Sequence, residues 1–105
     1  MMAWTFLFAA GLFEIGWAIG IKYTDGFTRL VPSVLTLLSM IVSVVFLGLA
    51  VRTLPIGTAY TIWGAIGTIG TVVLGILLFD DPASAARLGC ICLILIGSIG
   101  LKLAT

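Results

Sequence analysis

Four long apolar runs, separated by short polar clusters, make up almost the whole of this chain. They cover residues about 3–21, 30–51, 56–79 and 85–103. Each holds roughly 19 to 24 residues, which at about 1.5 Å rise per residue matches a hydrocarbon core near 30 Å thick. Lipid offers no hydrogen bonds to exposed backbone, so each run is predicted to be a transmembrane helix. The breaks carry helix-ending chemistry. Tyr23-Thr24-Asp25-Gly26-Phe27-Thr28-Arg29 centres on an Asp-Gly turn, Arg52-Thr53-Leu54-Pro55 is a brief interruption, and Asp80-Asp81-Pro82-Ala83-Ser84 closes the third run. Pro32 falls in the first turn of the second helix, where its missing N–H is tolerated. Connections this short make sequence-adjacent helices antiparallel neighbours and leave no room for a soluble domain. The expected architecture is an all-α integral membrane protein, with residues 1–105 forming a single four-helix transmembrane domain.

Composition supports that reading. Of the 105 residues 62% are hydrophobic and 9% charged, whereas a soluble domain carries roughly a quarter charged residues. The first run lacks a positive leader and is followed by Lys22, so it is expected to be a retained span rather than a signal peptide. A net charge of +1, no histidine and no basic run exclude nucleic-acid binding. Cys90 and Cys92 lie two apart on a helix and point in different directions, so they are expected to be small packing residues rather than a disulfide or metal site. No cofactor, metal site or activated nucleophile is expected, and an enzyme is not the expected class.

Charge placement bears on topology. Lys22, Arg29 and Arg87 fall on one side of a four-span chain, and Arg52 and Lys102 on the other, with the N-terminal amine adding to the second set. Such balance gives almost no positive-inside bias. A chain of this kind can insert both ways, and an antiparallel, dual-topology dimer follows as an expectation. Four helices cannot readily enclose a path and still pack, whereas eight can. Gly16 and Gly20 on the first helix, and Gly89, Gly97 and Gly100 on the fourth, are small-residue spacings suited to helix contact; Gly89 and Gly97 are assigned to packing or to the dimer.

The chemistry centres on Glu14, the one formal charge between Ala3 and Ile21. An ionisable group at hydrocarbon depth is costly and marks function. Ala10, Glu14, Trp17 and Ile21 share one helix face, which places an aromatic wall beside the carboxylate. Tyr60 and Trp63, three apart, are expected to face one cavity, with Gly64 and Gly67 leaving space or permitting a bend. Thr36, Ser39 and Ser43 form a polar stripe on the second helix. Thr36 and Ser39 are expected to bond back to their own helix, while Ser43, nearer mid-span, is placed to reach Glu14. No residue inside the spans can neutralise Glu14, so a proton or a cation must, and the two compete for it. Tryptophan and tyrosine faces attract cations, and a planar guanidinium matches carboxylate geometry and stacks on rings better than an ammonium does.

Phe13-Glu14, Trp17-Ala18, Lys22-Tyr23, Gly26-Phe27-Thr28-Arg29, Pro32-Ser33, Leu54-Pro55-x-Gly57-Thr58-Ala59-Tyr60-x-x-Trp63 and Gly100-Leu101-Lys102 together resemble the small multidrug resistance family over essentially the whole chain. Trp17 and Lys102 resemble its guanidinium-exporter branch more than its broad multidrug branch. The resemblance implies an antiparallel homodimer in the bacterial inner membrane that exports guanidinium in exchange for protons by alternating access. It also implies that Glu14 binds proton and substrate in turn, with Trp17, Ser43, Tyr60 and Trp63 lining the pocket. Two positions depart from the branch: Gly16 stands where a bulky residue is usual, and Gly64-Ala65 where a small polar residue and glycine are usual. Gly64 would widen the pocket toward substituted guanidinium compounds, and Ala65 would stiffen or displace a helix bend. Some relatives pair as unequal chains, which keeps a heterodimer with a paralogue open. The other readings are an exporter of larger aromatic or quaternary cations, a passive dual-topology ion channel, and a small structural or regulatory membrane subunit. A passive channel needs no mid-membrane proton acceptor, so Glu14 separates these classes.

Overall fold

The structure, a computed structural model, describes residues 2–104 and consists of four helices joined by short turns. They are α1 (Met2–Tyr23), α2 (Leu30–Ala50), α3 (Ile56–Phe79) and α4 (Ala85–Ala104), each long and apolar enough to cross a membrane. Pro32 sits in the first turn of α2 as the sequence predicts. The first helix runs past the expected end to include Lys22 and Tyr23, and the turn after it holds Asp25 and Gly26 in the left-handed region (φ 50° and 70°), as the Asp-Gly pair predicts. The buried Thr24 donates from Oγ1 to Ile21 O at 2.7 Å and accepts from the Phe27 N–H at 3.1 Å, satisfying groups the helix end leaves open. At the far end of α3, Asp80 adopts a left-handed conformation (φ 58°). Ser84 then caps α4 by accepting from the Arg87 N–H at 3.2 Å.

Helix order in space differs from order along the chain. α1 packs against both α2 and α3, α4 packs against α3, and α2 and α3 touch over only a small area. The expectation that every sequence-adjacent pair packs closely therefore fails for α2 and α3, and the reason lies in α1. One of its faces carries Gly11, where a Cβ would lie 2.6 Å from the Ile66 side chain of α3. Another carries Gly16 and Gly20, where a Cβ would meet Ser39 Oγ at 3.0 Å and run into Thr36 Oγ1. Small residues on two faces let α1 approach two neighbours closely. The α1–α2 pair is antiparallel, while α1 and α3 run parallel, so Gly11 meets Ile66, Glu14 meets Gly67 and Ile15 meets Gly70 in rising register.

The resulting body measures 41 × 34 × 16 Å. Its shortest dimension is about one to two helix diameters, and contacts run in the order α2–α1–α3–α4, so the helices form a thin layer. Leu7, Ala50, Ala59 and Ile62 make a small core, with Phe6 stacked on Phe46 at 5.8 Å between ring centroids. A lysine lies over an aromatic ring at each end of the layer. Lys102 Nζ is 4.8 Å from the centre of the Trp4 ring, and Lys22 Nζ is 5.3 Å from that of Phe79. Such pairs suit the membrane interface, where charged heads reach water over apolar stems. No residue of α4 is buried.

Candidate functional site

Glu14 lies near the middle of α1, half-buried, with its carboxyl over Gly67 of α3. A Cβ at residue 67 would occupy the space of that carboxyl. Gly67 leaves space, as expected, and that space holds the acid. Glu14 Oε2 is shielded and has no hydrogen-bond partner among the described residues. The carboxyl lines a cavity of about 290 Å³ with Ala18, Gly67, Thr68, Thr71 and Val72. A larger cleft of about 370 Å³ lies between α1, α3 and α4, but its walls are apolar apart from Ser98 and Lys102, and it holds no carboxylate.

Ser43 is fully buried and does not reach Glu14, contrary to expectation. Its Oγ donates to Ala10 O at 2.6 Å and accepts from Trp63 Nε1 at 2.9 Å. The hydroxyl therefore ties α1, α2 and α3 together one helical turn before the acid and fixes the Trp63 ring. Tyr60 packs against Trp63 at 5.4 Å between centroids and is largely exposed. Ser39 also departs from the predicted bond within its own helix: it donates across to Phe13 O at 2.9 Å. Thr36 is buried against Gly20. The carbonyls that Ser39 and Ser43 use belong to α1, which lies within reach because of its glycines.

Trp17 is half-buried, and its indole N–H is shielded without a partner among the described residues. It does not line the Glu14 cavity. Four of the six predicted pocket residues thus fall into two adjoining groups within one protomer, and Trp17 and Gly64 belong to neither. Ser43, Trp63 and Tyr60 form one, anchored at Ala10; Glu14 and the Gly67–Thr71 stretch form the other. Gly64 has open space where a side chain would project, as have Gly89 and Gly97 on α4. Thr68 and Thr71 escaped the sequence reading. The available signal was spacing, since Thr71 lies four residues after Gly67 and shares its helix face. Cys90 and Cys92 are free and exposed, and no metal-binding cluster occurs among the described residues.

Four membrane-spanning helices in one layer, with a lone carboxyl at mid-depth, define a minimal multi-pass membrane protein. Comparison with known proteins narrows this. The family described as Small Multidrug Resistance protein matches residues 2–94. Guanidinium exporters of Citrobacter freundii and Salmonella typhimurium are each 56% identical over 99% of this chain and 99% of their own length. The guanidinium exporter of Proteus vulgaris is 53% identical over 99% of this chain and its entire length. The chain belongs to the small multidrug resistance family, and is a multi-pass transporter of the bacterial inner membrane rather than an enzyme.

Proposed function

We propose that this protein is a proton-coupled antiporter that exports guanidinium and small substituted guanidinium cations, with Glu14 holding proton and cation in alternation. The observation that carries the reading is the Glu14 carboxyl: shielded, without a partner among the described residues, and opening onto a cavity at mid-membrane. A carboxylate at that depth must be neutralised by whatever occupies the site. The names of the relatives supply the substrate class. A guanidinium group offers two parallel N–H donors to the two carboxylate oxygens and a flat face to the aromatic group formed by Tyr60 and Trp63. Proton and cation cannot share one carboxylate, so exchange follows if the site opens to one side at a time.

A thin layer of helices has no second wall, so the working unit is proposed to be a dimer, with an antiparallel homodimer favoured by the balanced loop charges. Pairing with a paralogue is the alternative. The open space at Gly64 favours one further reading, that larger cations with aromatic or alkyl substituents are also carried.

The test is guanidinium uptake into proteoliposomes driven by an opposing proton gradient. Wild type should show coupled uptake and Glu14→Gln none. Coupled transport retained in Glu14→Gln would falsify the mechanism, and guanidinium current without proton movement would favour a passive channel.

A further inference from the structure

We infer that Thr71 is a second cation-positioning residue, its hydroxyl oxygen accepting an N–H from the guanidinium held by Glu14 and so favouring cations that carry several N–H donors. The inference rests on the function proposed above and names a specificity determinant within it.

Three shielded side-chain atoms of half-buried residues lack a hydrogen-bond partner among the described residues: Glu14 Oε2, Trp17 Nε1 and Thr71 Oγ1. Unsatisfied polar atoms are rare in protein interiors and call for an explanation. The residues that carry two of the three, Glu14 and Thr71, line the same cavity of about 290 Å³. A hydroxyl in a membrane helix ordinarily donates to the carbonyl one turn earlier, as Ser98 does to Ile94 O at 2.7 Å. Thr71 makes no such bond, and its oxygen is left shielded and without a partner on a residue that borders the cavity.

The donor and acceptor inventory points to the ligand. A guanidinium cation presents only N–H groups around its edge. A carboxylate takes two of them in a fork, and the others need acceptors. The indole N–H of Trp17 is a donor and cannot serve. Ser43 already donates to Ala10 O and accepts from Trp63 Nε1. Thr71 offers a lone pair.

Register places it well. Because α1 and α3 run parallel, the Glu14–Gly67 pair is followed one turn later by Ala18 and Thr71. One turn is a step of about 5.4 Å. A planar cation with hydrogen bonds of about 2.8 Å at either edge spans such a step. Ala18 keeps the space between the two groups open.

The experiment measures guanidinium uptake by the reconstituted full-length protein, with tetramethylguanidinium as a competing cation that keeps few N–H donors. For Thr71→Val we expect the half-saturating guanidinium concentration to rise roughly ten- to a hundredfold, the loss of one hydrogen bond to a charged group, with little change in maximal rate. Thr71→Ser should restore it, and Thr71→Ala, which adds no bulk, should repeat the loss. The wild-type preference for guanidinium over tetramethylguanidinium should narrow by a similar factor in Thr71→Val. Unchanged half-saturation in Thr71→Val, or equal weakening toward both cations, overturns the role of Thr71 while leaving Glu14 exchange intact. Absence of proton-coupled guanidinium uptake in wild type overturns the function proposed above and this inference with it.

Discussion

The carboxyl of Glu14 fills the volume that a side chain at residue 67 would take, so the α1–α3 contact at mid-membrane depends on Gly67. Gly67→Ala introduces a helix-favouring residue but forces the acid out of its seat. Displacements of about 1 Å at a binding group are worth on the order of a hundredfold in rate, so guanidinium uptake should fall at least tenfold while helix content by circular dichroism is unchanged. Gly48→Ala is the control. Its side chain would project into open space, and uptake of guanidinium should persist.

Ser43 links three helices through Ala10 O and Trp63 Nε1. Ser43→Ala and Trp63→Phe each break the same bond, and hydrogen bonds between membrane helices contribute about 0.5 to 1.5 kcal/mol. Each single variant should lower unfolding stability in mild detergent by about 1 kcal/mol or more, while the double variant should cost less than the sum. Strict additivity would show that the serine and tryptophan act independently.

Helix number and span were legible in the sequence because hydrocarbon thickness dictates run length, and Glu14 was legible because one charge in an apolar run has no bland explanation. What the sequence did not carry was rotation of one helix about its axis relative to another. Ser43 and Glu14 are both near mid-span, yet α2 meets α1 at Ala10 and Phe13, so the hydroxyls of Ser43 and Ser39 find α1 carbonyls rather than the acid. The same holds for Thr71, whose place beside Glu14 depends on the parallel register of α1 with α3. Short loops also implied that α2 and α3 pack together, whereas glycines on two faces of α1 draw it between them.

The α1–α2 interface offers a compensation test. A side chain at residue 20 would overlap Thr36 Oγ1, and overpacking of this kind costs about 1 to 3 kcal/mol. Gly20→Ala should therefore destabilise the wild-type protein. In a Thr36→Ala background, with the hydroxyl gone, the same change should cost much less. Equal effects in both backgrounds would place the strain elsewhere.

Loop charge predicts insertion behaviour. Lys22, Arg29 and Arg87 oppose Arg52 and Lys102, so C-terminal reporters active on either side of the membrane should both register for wild type. Ala83→Lys combined with Thr28→Lys adds two positive charges to one set of loops, both at exposed positions. Positive loops stay cytoplasmic, so this variant should adopt one orientation and lose transport unless it is expressed with an oppositely biased copy. A wild type found in a single orientation would rule out the antiparallel homodimer.

Competition at one carboxylate sets the direction of the pH effect. Guanidinium keeps its charge across the working range, whereas Glu14 must be ionised to bind it and protonated to release it. Lowering pH equally on both sides of the membrane should therefore raise the half-saturating guanidinium concentration, by up to about tenfold per pH unit once the site is mostly protonated, the limit for one proton displaced per cation. If two copies of Glu14 face each other in a dimer, the protons come off as a coupled pair and the dependence spreads over a wider pH range. Glu14→Gln, with no proton to exchange, should neither bind guanidinium nor release protons on its addition. Guanidinium affinity independent of pH in the wild type, measured by calorimetry in detergent, would mean that proton and cation occupy different groups.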